Sequence, residues 1–219
     1  MNLEDVSRQI IAFTGTFNIW LMLVIFLSLS IGEFGLAIPY VMESIWILVG
    51  YHIISGALSI PQLLILLAIS LVARLVGAFA LYRLTWLERG PIMRLYHRLF
   101  GSVLKEETNE GNNKKPLLVR ILHRIKLSSP YSIAFGRLIW LRVPLTLILS
   151  MQRNLVILLQ GVMLSGIAWD ATYILIGILG GNIKIDPINV VLYSLGGLTV
   201  IYGAAFAIRF FVDYWLAKH

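Results

Sequence analysis

The sequence predicts an all-α polytopic membrane protein, and three observations predict it. Hydrophobic residues make up 58% of the 219 positions. Charged residues make up only 13%, about half the usual share of a soluble domain. Apolar stretches recur along the whole chain, and a bilayer crossing needs about 20 such residues. The basic residues are also gathered rather than spread: ten of the 18 Lys and Arg lie between Arg83 and Lys126. A chain of this kind is expected to hold one membrane domain, 1–219, without a separate soluble catalytic domain.

The apolar stretches fall at about 10–31, 33–60, 61–84, 130–152, 153–181 and 187–216. Before the first, MNLEDVSRQIIAF lacks a small-residue cleavage pattern, so this stretch is expected to remain in place. Stretches 10–31, 61–84 and 187–216 read as plain spans. The stretch 153–181 is also long enough to cross, although Asp170 and several Gly interrupt it. The remaining two are broken. Stretch 33–60 contains Glu33, Gly35, Pro39, Glu43, Gly50 and Gly56, and stretch 130–152 contains Pro130, Gly136, Arg137, Arg142 and Pro144. Irregular backbone at membrane depth survives only when buried in protein or lining a wet cavity. Both are therefore expected to be re-entrant helical hairpins, broken at Gly35 and Pro39 in one and at Gly136 and Pro144 in the other.

Charge sets the orientation. The basic connection 85–129 is expected in the cytoplasm by the positive-inside rule. Counting crossings from it puts both termini in the cytoplasm and the two hairpins on opposite faces of a cell membrane. Hairpin plus span then occurs twice, at about 10–84 and 130–219, in opposite senses: an inverted repeat with about four transmembrane helices. Within the connection, WLERGPIMRLYHRLFGSVL and PLLVRILHRIKL alternate apolar and basic residues at helical spacing, as interfacial amphipathic helices do. The net charge of +7 is explained by this placement, so nucleic acid is not an expected partner.

Ionisable side chains stand deep inside the apolar stretches: Glu33 and Glu43 in one hairpin, Arg137 and Arg142 in the other, and Arg74 and Asp170 near the centres of spans. A charge at the bilayer centre costs about 2.5 kcal/mol or more, so each needs a partner or water. Glu33 and Glu43 are expected to meet Arg137 and Arg142, while Arg74 and Asp170 form a candidate buried pair locking two helices. His52, alone on an apolar arm, reads as a packed side chain.

Enzyme chemistry finds no motif. There is no Cys, the four His are dispersed, and no acid cluster suits a metal, so neither metal nor cofactor is expected. Ser165 lacks a His in any later span, which removes an intramembrane serine protease.

The stretch from Gly32 through Glu33, Gly35 and Pro39 to Glu43 and Gly50 resembles the first signature of the DedA family, also called SNARE-associated or VTT-domain membrane proteins. Gly136, Arg137, Arg142 and Pro144 resemble the second. Gly166 to Trp169, with Gly177 and Gly180, is a weaker third. The likeness covers roughly 30–181. The chain departs from the pattern in three places: Tyr40 to Met42 separate Pro39 from Glu43, Trp140 stands in the inter-arginine stretch, and Ala73 and Arg74 lie where many members carry Gly-Asp.

What the resemblance implies is a flippase or scramblase for phospholipids or polyprenyl phosphates, in several members with proton coupling. Arg137 and Arg142 would then bind the substrate phosphate, and Glu33 and Glu43 would gate or couple the movement. A guanidinium binds phosphate bidentately and keeps its charge, whereas a carboxylate displaced into an apolar setting takes up a proton. The partners expected are membrane lipids and protons. Two other readings share the architecture: a small-solute or ion carrier, and a non-transporting assembly protein whose buried charges only specify packing.

Overall fold

Helix stop and start signals divide the apolar stretches more finely than hydropathy alone. The computed structural model describes residues 3–35, 40–87, 129–138, 141–200 and 203. They form the helices α1 (Leu3–Gly15), α2 (Ile19–Gly32), α3 (Val41–Ile54), α4 (Ile60–Leu87), α5 (Pro130–Leu138), α6 (Arg142–Met151), α7 (Leu155–Asn182) and α8 (Pro187–Val200), with no strand among the described residues. The expected interfacial helices of 85–129 lie almost wholly outside the described residues, as do Pro39 and the end of stretch 187–216.

Among the described residues two helices, α4 and α7, are long and apolar enough to cross a bilayer, or three segments if the bent pair α1–α2 counts as one. This is compatible with a membrane protein. Each has 28 residues, about 42 Å at 1.5 Å per residue, which exceeds a hydrocarbon core of about 30 Å. Local chemistry starts and stops the helices. Ser59 N–H donates to Gln62 Oε1 at 2.8 Å, half of a capping box that opens α4 with Pro61 in the first turn. Asp186 Oδ1 accepts from Ile188 N–H at 3.0 Å and caps α8 at Pro187. Arg153 and Lys184 take left-handed φ of 55° and 58° and close α6 and α7.

The expected plain span 10–31 is instead broken. The axes of α1 and α2 differ by 100° across Thr16–Asn18. Asn18 Oδ1 accepts from Leu21 N–H at 2.8 Å, and Asn18 Nδ2 donates to Thr16 Oγ1 at 2.9 Å. Thr16 Oγ1 in turn donates to Phe13 O at 3.1 Å. Side chains that satisfy backbone groups locally compete with the continuous helix. The break in stretch 33–60 falls in 33–40, so its helical arms are α2 and α3, and the first arm comes from the stretch expected to span. In stretch 130–152, α5 ends at Leu138 and α6 begins at Arg142. Gly136 lies inside α5, and Pro144 sits in the first turn of α6, where its missing N–H costs nothing. Leu141 N–H reaches back to Gly136 O at 3.0 Å.

The chain divides into two compact units whose boundaries fall within α2, α4 and α7: one of 1–22, 38–66 and 170–219, the other of 23–37 and 67–169. In the first unit, α3 buries Trp46, Ile47, Leu48 and Val49. α3 crosses the C-terminal half of α7 at two glycines, since a Cβ on Gly50 would strike Ile174 O and one on Gly177 would strike Ile47 O. α1 packs on the far end of α3. His52 Nε2 lies 3.0 Å from Ile11 O and 3.3 Å from Thr14 Oγ1, with its ring against Gly15. The start of α2 and the end of α3 are thus held at the same end of this unit. In the second unit, Ala78 and Tyr82 of α4, Ile133 of α5, Leu145 and Leu149 of α6, and Leu158 and Val162 of α7 form the core, with Leu141. Ser150 Oγ donates to Tyr82 O at 2.9 Å and ties α6 to α4.

Candidate functional site: a buried ion pair on a split guanidinium

The second unit buries one acid against one base from opposite halves of the sequence. Arg137 Nη2 donates to Glu33 Oε2 at 2.5 Å, across 104 residues, and both side chains are 1% exposed. Glu33 follows directly on α2 and begins the turn that Gly35 completes at φ +82°, a conformation open to glycine without a Cβ penalty. α2 ends there with Gly35 N–H donating to Gly32 O at 3.1 Å. The turn abuts the start of α6, because a Cβ on Gly35 would lie 3.0 Å from Val143 Cγ2. Gly77 of α4 leaves the room Glu33 occupies: a Cβ there would lie 2.9 Å from Glu33 Cβ and 2.5 Å from Ser30 O.

Helix dipoles treat the two partners differently. Glu33 sits at the C-terminal, negative end of α2, which disfavours its charge, while Arg137 in the last turn of α5 is favoured. The guanidinium is also the better anchored. Its Nε donates to Ser165 Oγ at 3.2 Å, and its Nη1 reaches Thr146 Oγ1 at 3.5 Å, the outer limit of a hydrogen bond. Both hydroxyls spend their own protons on helix carbonyls, Ser165 on Val162 O at 3.1 Å and Thr146 on Arg142 O at 2.9 Å, so toward Arg137 they act only as acceptors. Glu33 Oε1, by contrast, is buried with no hydrogen-bond partner among the described residues.

The other expected site residues are distributed differently. Arg142, the first residue of α6, is half-buried and stacks over Trp169 of α7, its Cζ 5.4 Å from the ring centroid. Glu43 is half-buried in the first turn of α3, where the helix dipole favours an acid, and it belongs to the other unit. Of the expected meeting of two acids with two bases, the ion pair of Glu33 with Arg137 is formed within the second unit, and Arg142 makes a cation–π contact in the same unit. Arg74 and Asp170 are 3% and 0% exposed and belong to different units. Ser165, Thr146 and Trp169 were not read as site residues. Thr146 signals itself only as a polar residue inside an apolar helix, Ser165 stood out only as a rejected nucleophile, and Trp169 only as the end of the weaker third match.

No group of His, Cys, Asp or Glu suited to a metal occurs among the described residues. No family model matches the chain, and no curated protein or solved structure matches it significantly.

Proposed function

We propose that this protein moves a phosphate-bearing lipid, a phospholipid or polyprenyl phosphate, between the leaflets of a bilayer, as a divergent member of the DedA family. The observation that carries the reading is the half-satisfied ion pair: a buried acid held through one oxygen, on a base held through three nitrogens. A purely structural pair is expected to satisfy both carboxylate oxygens, because a buried polar atom without a partner costs about 1–3 kcal/mol. A phosphate oxygen has the charge and geometry to take the acid's place on Arg137. Glu33 is the carboxylate that this exchange displaces, and coupling to protons, as the resemblance implies for several members, would rest on that group. Arg142, on its tryptophan, is suited to guide the same headgroup.

In this reading α2–α3 and α5–α6 are the two re-entrant hairpins. Helices of 14 residues in the first pair and of nine and ten in the second are about 21 Å long or less, too short to cross alone. The long helices α4 and α7 follow each pair and cross, which repeats one pattern twice. α1 lies at the interface beside the end of α3, so the N-terminus shares the outer face with the α3–α4 turn, not the cytoplasmic face that an unbroken span 10–31 would give it. The connection 85–129 remains cytoplasmic.

Purified protein in vesicles carrying a headgroup-labelled phospholipid tests the function. The expected result is faster loss of the protected inner-leaflet signal than in protein-free vesicles. An unchanged rate across a panel of phosphate headgroups, with and without a pH gradient, would refute it. Uptake of a small solute instead would favour a carrier.

A further inference from the structure

We infer that Ser165 is a positioning residue that keeps the ion pair openable, by occupying one leg of the Arg137 fork and denying it to Glu33; this rests on the transport reading above. A guanidinium presents Nε–H and one Nη2–H in parallel along one edge, the edge that takes both oxygens of a carboxylate at once. In this protein that edge is divided. Nη2 donates to Glu33 Oε2 at 2.5 Å, and Nε donates to Ser165 Oγ at 3.2 Å. The second carboxylate oxygen, Oε1, is left buried without a partner among the described residues. The hydroxyl does not drift into this role. Its proton is committed to Val162 O at 3.1 Å, one turn back on α7, which turns its lone pairs to the guanidinium.

The division sets which partner moves. Arg137 keeps Ser165 and Thr146 when the acid leaves, so its Nη2 stays aimed at the same point for an incoming phosphate. Glu33 has one hydrogen bond to lose and sits on a turn completed by Gly35, a residue with the φ freedom to swing it. Without the Ser165 hydroxyl, Nε is free to engage Oε1. The pair then closes into the bidentate form, which is tighter and slower to yield to substrate.

The test compares Ser165→Ala, Ser165→Thr and wild type for phospholipid translocation in vesicles and for the thermal midpoint in detergent. Ser165→Ala is expected to slow transport about tenfold, the equivalent of one additional hydrogen bond to a charged group. Its midpoint is expected to stay level or rise, and Ser165→Thr, which keeps the hydroxyl, should transport as wild type does. A better helix former at 165 would raise the midpoint on its own, so Ser165→Ala is also measured on Glu33→Gln. The amide offers one oxygen acceptor and cannot fill both legs, so the midpoint gain should vanish there. Transport unchanged in Ser165→Ala, or transport and midpoint falling together, would overturn the inference. Should wild type itself move no lipid, the transport reading fails, and the midpoint cycle still judges the fork: a gain that depends on Glu33 supports it, and an equal change in both backgrounds overturns it.

Discussion

At the scale of single residues, the chemistry concentrates in Glu33 and Arg137. Breaking a buried pair leaves an uncompensated charge, so Glu33→Ala is expected to lower stability by about 3–5 kcal/mol, read as a drop in the thermal midpoint of the purified protein. Arg137→Ala should do the same, and the double variant should recover part of the loss, because neither charge is then stranded. Additive losses would mean that the two side chains are not coupled. The sequence exposed both residues, since an acid and a base inside apolar stretches demand partners. It did not give their pairing: Glu33 and Glu43, or Arg137 and Arg142, are equivalent by composition. Only the break positions decide that Glu33 follows α2 inside the second unit while Glu43 lies in the first turn of α3 in the first.

At the scale of elements, polar caps overrule hydropathy. Gly15, Thr16 and Asn18 were visible in the sequence, and a Gly followed by an Asn before an apolar run is a stop and start signal. Averaged over 10–31, the flanking Ile, Leu and Phe hide it. Asn18→Ala removes the cap of α2, with an expected loss of about 1 kcal/mol, measurable by chemical unfolding. A change below a few tenths would mean that packing alone holds the bend. The long helices α4 and α7 were legible to within a few residues, because no break like that at Thr16–Asn18 interrupts their apolar runs. The breaks at Gly136 and Pro144 were misplaced for a physical reason. Glycine packs within a helix, and proline is tolerated in its first turn, so neither residue marks a break by itself.

At the scale of the whole molecule, two short helices and a long one occur twice over among the described residues, and the sidedness proposed for them is open to direct test. The chain has no Cys, so single substitutions can be labelled without background. Ser55→Cys in the α3–α4 turn and Arg8→Cys in α1 should react with an impermeant thiol reagent from outside the cell, and Asn112→Cys only after permeabilisation. Labelling of Arg8→Cys from the cytoplasm would return 10–31 to a crossing element. The sequence made the fold class readable because a bilayer demands so much apolar surface. The species moved in the proposed transport is not legible in the same way, since one guanidinium would serve every phosphate headgroup alike.

The central claim is that Arg137 holds Glu33 in one state and a lipid phosphate in another. The most direct measurement is translocation by wild type and Arg137→Gln of two labelled lipids with the same chains, one bearing a phosphate and one neutral. The predicted result is acceleration of the phosphate-bearing lipid by wild type alone, with Arg137→Gln at the protein-free rate while still folded. Equal rates for the two lipids, or an unimpaired Arg137→Gln, would contradict it.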